Sequence, residues 1–366
     1  MKWGFRWYGQ GDSIPLTHVK QIPGINGVVG TLLTKLPGDI WEVAEIQALK
    51  DSVKSGGLEL LGIESVAIHD AIKAGTAERD HYIEHYIQTI RNLAACDVRL
   101  ICYSFKPIFG WAKTTLAHEN PDGSFSLLYD QAVVDNMEAS EMFKLIHSQS
   151  KGFNLPGWEE ERLKKFDSLI KIYEGVTEED LFENLRYFLE KVIPVCEEVD
   201  VKLAIHPDDP PWELFGLPRI TKNLADLQKI IKIVDSPYNG ITFCTGALGA
   251  DPNNDLVAMI KAVGHRINFV HFRNVGFLGE KKFVESAHLS AEGSLDMAAI
   301  MKALIEVGFD GVIRPDHGRT IWGEICMPGY GLYDRAIGMS YLQGLHEALM
   351  TVHKPGPKHD ERSVDM

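Results

Sequence analysis

The chain has 366 residues, 45% hydrophobic and 24% charged, a balance that supports a buried core and excludes disorder throughout. Its formal net charge of −14 opposes a polyanionic partner, because nucleic-acid affinity rests on clustered Lys and Arg facing phosphates. The opening "MKWGFRWYGQGDS" has no apolar signal segment and no stretch is apolar enough to span a bilayer, so a cytoplasmic protein without a membrane partner is expected.

Eight short apolar runs follow in chain order, at residues 2–8, 25–32, 60–68, 98–105, 201–206, 240–245, 267–273 and 311–315. Between most of them lie amphipathic stretches of helical period, such as "LFENLRYFLEKVIPVCEEV" over 181–199. Apolar strands alternating with helices predict a parallel sheet covered by helices, and eight units predict an α/β fold of the closed (β/α)8 TIM-barrel type. A doubly wound open sheet is disfavoured, since no GxGxxG follows the first strand. One catalytic domain is expected over 1–353. Residues 112–176, with the turn "ENPDGS" and the charged "EEERLKKFDSLIKIYEG", depart from the repeat and are expected to form a helical or loop insertion after the fourth strand, or a lid. The tail 354–366 is expected to be disordered. Cys96, Cys102, Cys196, Cys244 and Cys326 form no CxxC pair, and their odd number argues for buried thiols over a disulfide framework.

In such a barrel the chemistry sits at the C-terminal strand ends. The fifth run ends at His206, the sixth in "FCTG" at Cys244, the seventh in "VHFRN" at His271 and the eighth in "RPDHGR" at Asp316 and His317. Successive βα units would set His206, Cys244, His271 and Asp316 along one arc of the mouth. Two imidazoles, a thiolate and a carboxylate suit one divalent metal with positions left open for substrate. Arg6, Arg273, Arg314 and Arg319 lie at the same mouth and suit an anionic substrate. Trp7, Tyr8, Trp111 and Trp212 could stack on a carbon chain or simply pack. Asp316 and His317 can both enter the pocket only if the strand has already ended, since neighbouring strand residues face opposite ways. Asp208 and Asp209, between prolines, read as loop-ordering residues.

Together "FRWYGQGD" (5–12), "IHPDDPP" (205–211), "FCTG" (243–246), "VHFRN" (270–274), "AHL" (287–289), "RPDHG" (314–318) and "PGY" (328–330) resemble the mannonate dehydratase family of xylose-isomerase-like, metal-dependent TIM barrels. "PGDIW" (37–41), "ESVAIH" (64–69) and "PDGS" (121–124) extend the resemblance over nearly the whole chain. It implies dehydration of D-mannonate to 2-keto-3-deoxy-D-gluconate in hexuronate catabolism, with Mn²⁺ or Fe²⁺. It also implies His206, Cys244, His271 and Asp316 as metal ligands, His317 and Tyr330 as catalytic or substrate-facing groups, and Arg6 and Trp7 near the substrate; Arg273 and Arg319 join the expected substrate contacts from the arginine reading above. Where the family often has Asn-Phe-Met-Pro and then Asp-Trp, this chain has "SFKP" (104–107) and "GW" (110–111). Tyr333 offers a second tyrosine, with Tyr330 preferred because it lies inside the matching motif.

Which of His317 and Tyr330 is the acid and which the base stays open, although an imidazole is the easier base near neutral pH. The expected partners are a small sugar acid and further copies of the chain, a dimer first. The competing readings are a metal-dependent sugar isomerase of the same superfamily, a barrel endonuclease and a noncatalytic scaffold.

Overall fold

A computed structural model of the protein describes residues 1–155, 157–158 and 164–352; the tail 354–366 and the start of "EEERLKKFDSLIKIYEG" lie outside them. Eight parallel strands close into a barrel: β1 (Lys2–Arg6), β2 (Gly27–Gly30), β3 (Glu59–Glu64), β4 (Leu100–Tyr103), β7 (Lys202–Ile205), β8 (Asn239–Cys244), β9 (Ile267–Phe272) and β12 (Val312–Pro315). Each of the eight apolar runs supplies one of them. The barrel interior is filled by Val29, Leu100, Cys102, Ala204, Phe269 and Val312, so it is a packed core with no channel.

Helices close the outside by burying one face against the strands. The longest, Glu178–Val199, starts at a capping box in which Thr177 accepts from Asp180 N and Asp180 reaches back to the Thr177 amide. Its buried stripe of Leu181, Leu185, Phe188, Leu189, Val192 and Cys196 follows the three- and four-residue steps read from sequence. Phe188 is fully buried among the rings of Tyr86, Tyr103 and Phe105. Phe188→Ala is therefore expected to cost about 3–5 kcal/mol of stability, seen as a lower urea midpoint with unchanged secondary structure. No helix among the described residues is long and apolar enough to cross a membrane. All five cysteines are free and buried.

Outside the barrel stands a four-stranded antiparallel sheet in the order β10 (Asn274–Gly279), β11 (Lys282–Ser286), β6 (Phe125–Asp130), β5 (Thr115–Glu119). The region read as a helical or loop insertion thus opens with a hairpin. "ENPDGS" is its turn, closed by the Asn120 amide on Ser124 O and permitted by Gly123 at φ +80°. The helix Ala139–Gln149 follows it. The hairpin's strands are short and half-polar, with little period to read, and besides each other they pair with β11 in the loop that follows β9 and, at Phe125, with Thr320 after β12. A second apolar cluster, centred on Phe109, Tyr129, Phe143, Trp158 and Phe283, fastens this sheet to the mouth of the barrel.

Candidate active site

Strand register brings the proposed ligands together. Cys244, the last residue of β8, lies opposite His271 of β9, and His271 lies opposite Arg314 of β12, so the three side chains share one face. His206 directly follows β7, where its amide bonds Tyr103 O at the end of β4. β12 ends at Pro315, and with the strand finished both Asp316 and His317 line the same cavity.

One ligand atom each from His206, Cys244 and His271 lie within 4.8 Å of one another. Asp316 adjoins them, its Oδ2 3.4 Å from Cys244 Sγ and its Oδ1 3.8 Å from His271 Nδ1. A second group, Glu64, Cys102 and His271, shares that histidine. His206 Nδ1 is 2.7 Å from the Pro207 carbonyl, which can only accept, and 3.0 Å from Lys106 Nζ; a proton on Nδ1 would serve the carbonyl and leave the lone pair on Nε2. Burial, reinforced by Lys106, holds the His206 imidazolium form far below its ordinary range, and burial with Arg314 does the same, less strongly, at His271. Both rings are therefore neutral donors. Burial alone would raise Asp316, but His317, Arg314 and Arg273 outweigh it and keep the carboxylate ionised. The Cys244 thiol is pushed up by burial, so its thiolate would need a cation beside it. Two neutral imidazoles, an ionised carboxylate and a thiol awaiting a positive charge form a donor set that fits a divalent ion.

Beside this cluster, His317 Nε2 is 2.9 Å from Tyr330 Oη, and His317 Nδ1 is 2.8 Å from Glu285 Oε2. Glu285, on β11, was not singled out from sequence, where "FVES" reads as an ordinary strand with alternating exposure. It is 2% exposed. Its own burial opposes ionisation, but His317, Arg273 and Lys113 keep it ionised. Burial, with Tyr8 adding to it, pushes the Tyr330 phenol well up, so it stays protonated. Tyr330 rather than Tyr333 meets His317; Tyr333 is exposed against Trp322.

The arginines read as substrate groups fall into different places. Arg6 lines the cavity, its guanidinium over the Tyr8 ring and 4.0 Å from Glu64. Arg273 is buried and committed, with Nη2 on Asp209 and Nη1 on Glu285, each at 2.8 Å. Arg314 grips Glu64 through two nitrogens and Asp316 through a third. Arg319 pairs with Asp334 and Asp122, and neither it, Arg273 nor Trp7 is among the described residues lining the cavity. Trp7 packs in the main core, whereas Trp111 lines the cavity with its ring at 69° to that of His317. Trp212 bonds Gln131 instead. Asp208 does order its loop, accepting from Thr221 N, but Asp209 bridges Lys113 and Arg273 at full burial. Polar residues flanked by prolines gave no hint of that role, because the partners of Asp209 lie far along the chain.

The D-mannonate dehydratase (UxuA) family model matches residues 1–355. A mannonate dehydratase of Enterococcus faecalis is 73% identical over 349 residues, covering 95% of this chain and 98% of that one. The crystal structure of mannonate dehydratase from Streptococcus suis serotype 2 superposes with a TM-score of 0.87 at 41% identity, over 96% of this chain and 95% of that one. A xylose isomerase domain protein from Planctomyces limnophilus, 11% identical at TM-score 0.54 over 96% of this chain and all of its own, shares the fold alone. With a matching model over nearly its full length and a relative at 73% identity, the chain belongs to the D-mannonate dehydratase family.

Proposed function

We propose that the protein dehydrates D-mannonate to 2-keto-3-deoxy-D-gluconate, a step of hexuronate breakdown, with Mn²⁺ or Fe²⁺ held by His206, Cys244, His271 and Asp316. The observation that carries the reading is the direct contact between His317 and Tyr330 beside a donor set that fits a divalent ion. When bound there, such an ion would act as a Lewis acid that lowers the cost of negative charge on substrate oxygens.

The chain's own groups handle the protons. Glu285 accepts from His317 Nδ1, which leaves Nε2 with the lone pair that Tyr330 donates to at rest. With substrate between them, His317 Nε2 takes the C2 proton while the protonated Tyr330 gives its proton to the departing C3 hydroxyl, releasing water. The enol left behind tautomerises to the 2-keto-3-deoxy acid. Because the two groups bond directly at 2.9 Å, the proton taken from C2 can pass from His317 to Tyr330 and restore both for the next cycle. Arg273 and Lys113 hold Glu285 in place, so the arginine read as a substrate contact serves to fix the base.

The test is incubation of the metal-free and the Mn²⁺-loaded protein with D-mannonate, with assay of α-keto acid. Product formed only by the loaded protein is expected; no product with either metal, Mn²⁺ or Fe²⁺, would overturn the reading.

A further inference from the structure

Lys106, in the "SFKP" segment after β4, is the basic residue of the cavity lining that has no carboxylate within ion-pair reach among the described residues. Its Nζ lines the cavity at 3.0 Å from His206 Nδ1, and the residue is 5% exposed. That nitrogen is shared with the Pro207 carbonyl at 2.7 Å, and an imidazole brings no negative charge to answer an ammonium. The other lysines and arginine lining the cavity each have a carboxylate within ion-pair reach: Lys35 has Glu45 at 2.6 Å, Lys73 has Asp70 at 2.7 Å and Arg6 has Glu64 at 4.0 Å. Among the described residues Lys106 has none. Asp208 and Asp209 act on it from farther off, and both are engaged elsewhere, with Thr221 and with Lys113 and Arg273.

A buried cation without an anion is costly. Its backbone is not free to swing away, since the Lys106 carbonyl accepts from Lys73 Nζ at 3.1 Å. The side chain is thus held at the cavity wall beside a proposed metal ligand, with its hydrogen-bond donors unsatisfied by protein carboxylates. We propose that Lys106 receives the carboxylate of the substrate acid, an added ion pair absent where the motif has Met, and so strengthens the hold of this enzyme on an aldonate over a neutral sugar. The inference rests on the sugar-acid reading above and names the residue that recognises the acid.

The test uses the Mn²⁺-loaded full chain with Lys106→Met and Lys106→Arg, Met being the residue that the resembled motif has there. Binding of D-mannonate and D-gluconate is measured by calorimetry, beside keto-acid formation and bound Mn²⁺ per chain. K106M is expected to weaken hexonate binding by about 10- to 100-fold, the loss of one charged hydrogen-bonded contact. K106R should recover part of it, bound Mn²⁺ should match wild type, and binding of the neutral amide D-mannonamide should be unchanged. Unchanged hexonate affinity in K106M would overturn the proposal. An equal loss for the amide would overturn it too, because the lysine would then read hydroxyls or shape, and so would loss of Mn²⁺, because the lysine would then act through His206. If the wild type binds hexonates in a Lys106-dependent way yet forms no keto acid, the dehydratase reading fails while the carboxylate assignment stands. Wild-type protein that binds neither hexonate overturns the assignment itself.

Discussion

His317→Gln and Tyr330→Phe are each expected to lower kcat by about 10²- to 10⁴-fold, the usual worth of a positioned acid or base, while bound metal per chain stays at the wild-type level. Both substitutions preserve size and leave the His206, Cys244, His271 and Asp316 cluster intact. Gln at 317 can still meet Glu285 but cannot take up a proton; Phe at 330 keeps the ring that packs edge-on to Tyr8 and removes only the hydroxyl. The double variant should be scarcely slower than the worse single, because the two side chains form one proton path and groups that act as a unit are strongly non-additive. Single-turnover keto-acid formation beside metal analysis of the same samples checks all three. Normal turnover per bound metal in His317→Gln would remove the histidine from the chemistry and make it a support for Asp316.

The second large effect concerns retention of the ion. Cys244→Ser keeps volume and removes a sulfur donor, and His206→Ala removes an imidazole that meets the Pro207 carbonyl. Each should weaken metal retention by at least the roughly 10- to 100-fold that altering a ligand's own hydrogen-bond partner costs. After dialysis both variants should carry little Mn²⁺, and activity should return in part at high added metal for Cys244→Ser. Unchanged metal content in dialysed Cys244→Ser would exclude the thiol from the ligand set. In that case Glu64, Cys102 and His271 would be the group to test next.

Much of this arrangement was legible in the sequence because parallel barrels convert chain order into angular order. An apolar run that stops on His206, and others that stop on Cys244, His271 and Asp316, name neighbours without any structure. What could not be read is the set of charges that lies crosswise to that order. Glu285 reaches His317 from the outer sheet, Lys113 reaches Asp209 across the mouth, and Glu64 spends its charge on Arg314, 250 residues away. Such pairs carry no period and no short spacing, so neither partner looks unusual alone. The same reason explains the arginines: four basic residues at one mouth suggested an anion, yet Arg273 and Arg314 each serve two protein carboxylates or more. The departure at Lys106, by contrast, was visible as an odd residue in a familiar motif; its meaning needed the contact with His206.

The outer sheet joins chain segments that follow β4 and β9, with β6 and β11 paired through Leu128 and Val284, Tyr129 and Phe283, Asp130 and Lys282. This pairing limits how the two loops can diverge. Shortening the segment after β4 would strip β11 of its partner and bare a strand edge carrying Phe283, an invitation to sticking between molecules. Replacing the segment after β9 would take Glu285 away from His317 while leaving every barrel strand untouched. Engineers who exchange mouth loops among barrels of this kind should therefore move the two segments as a pair: a transplant of either alone is expected to yield a well-formed barrel that is either poorly soluble or slow.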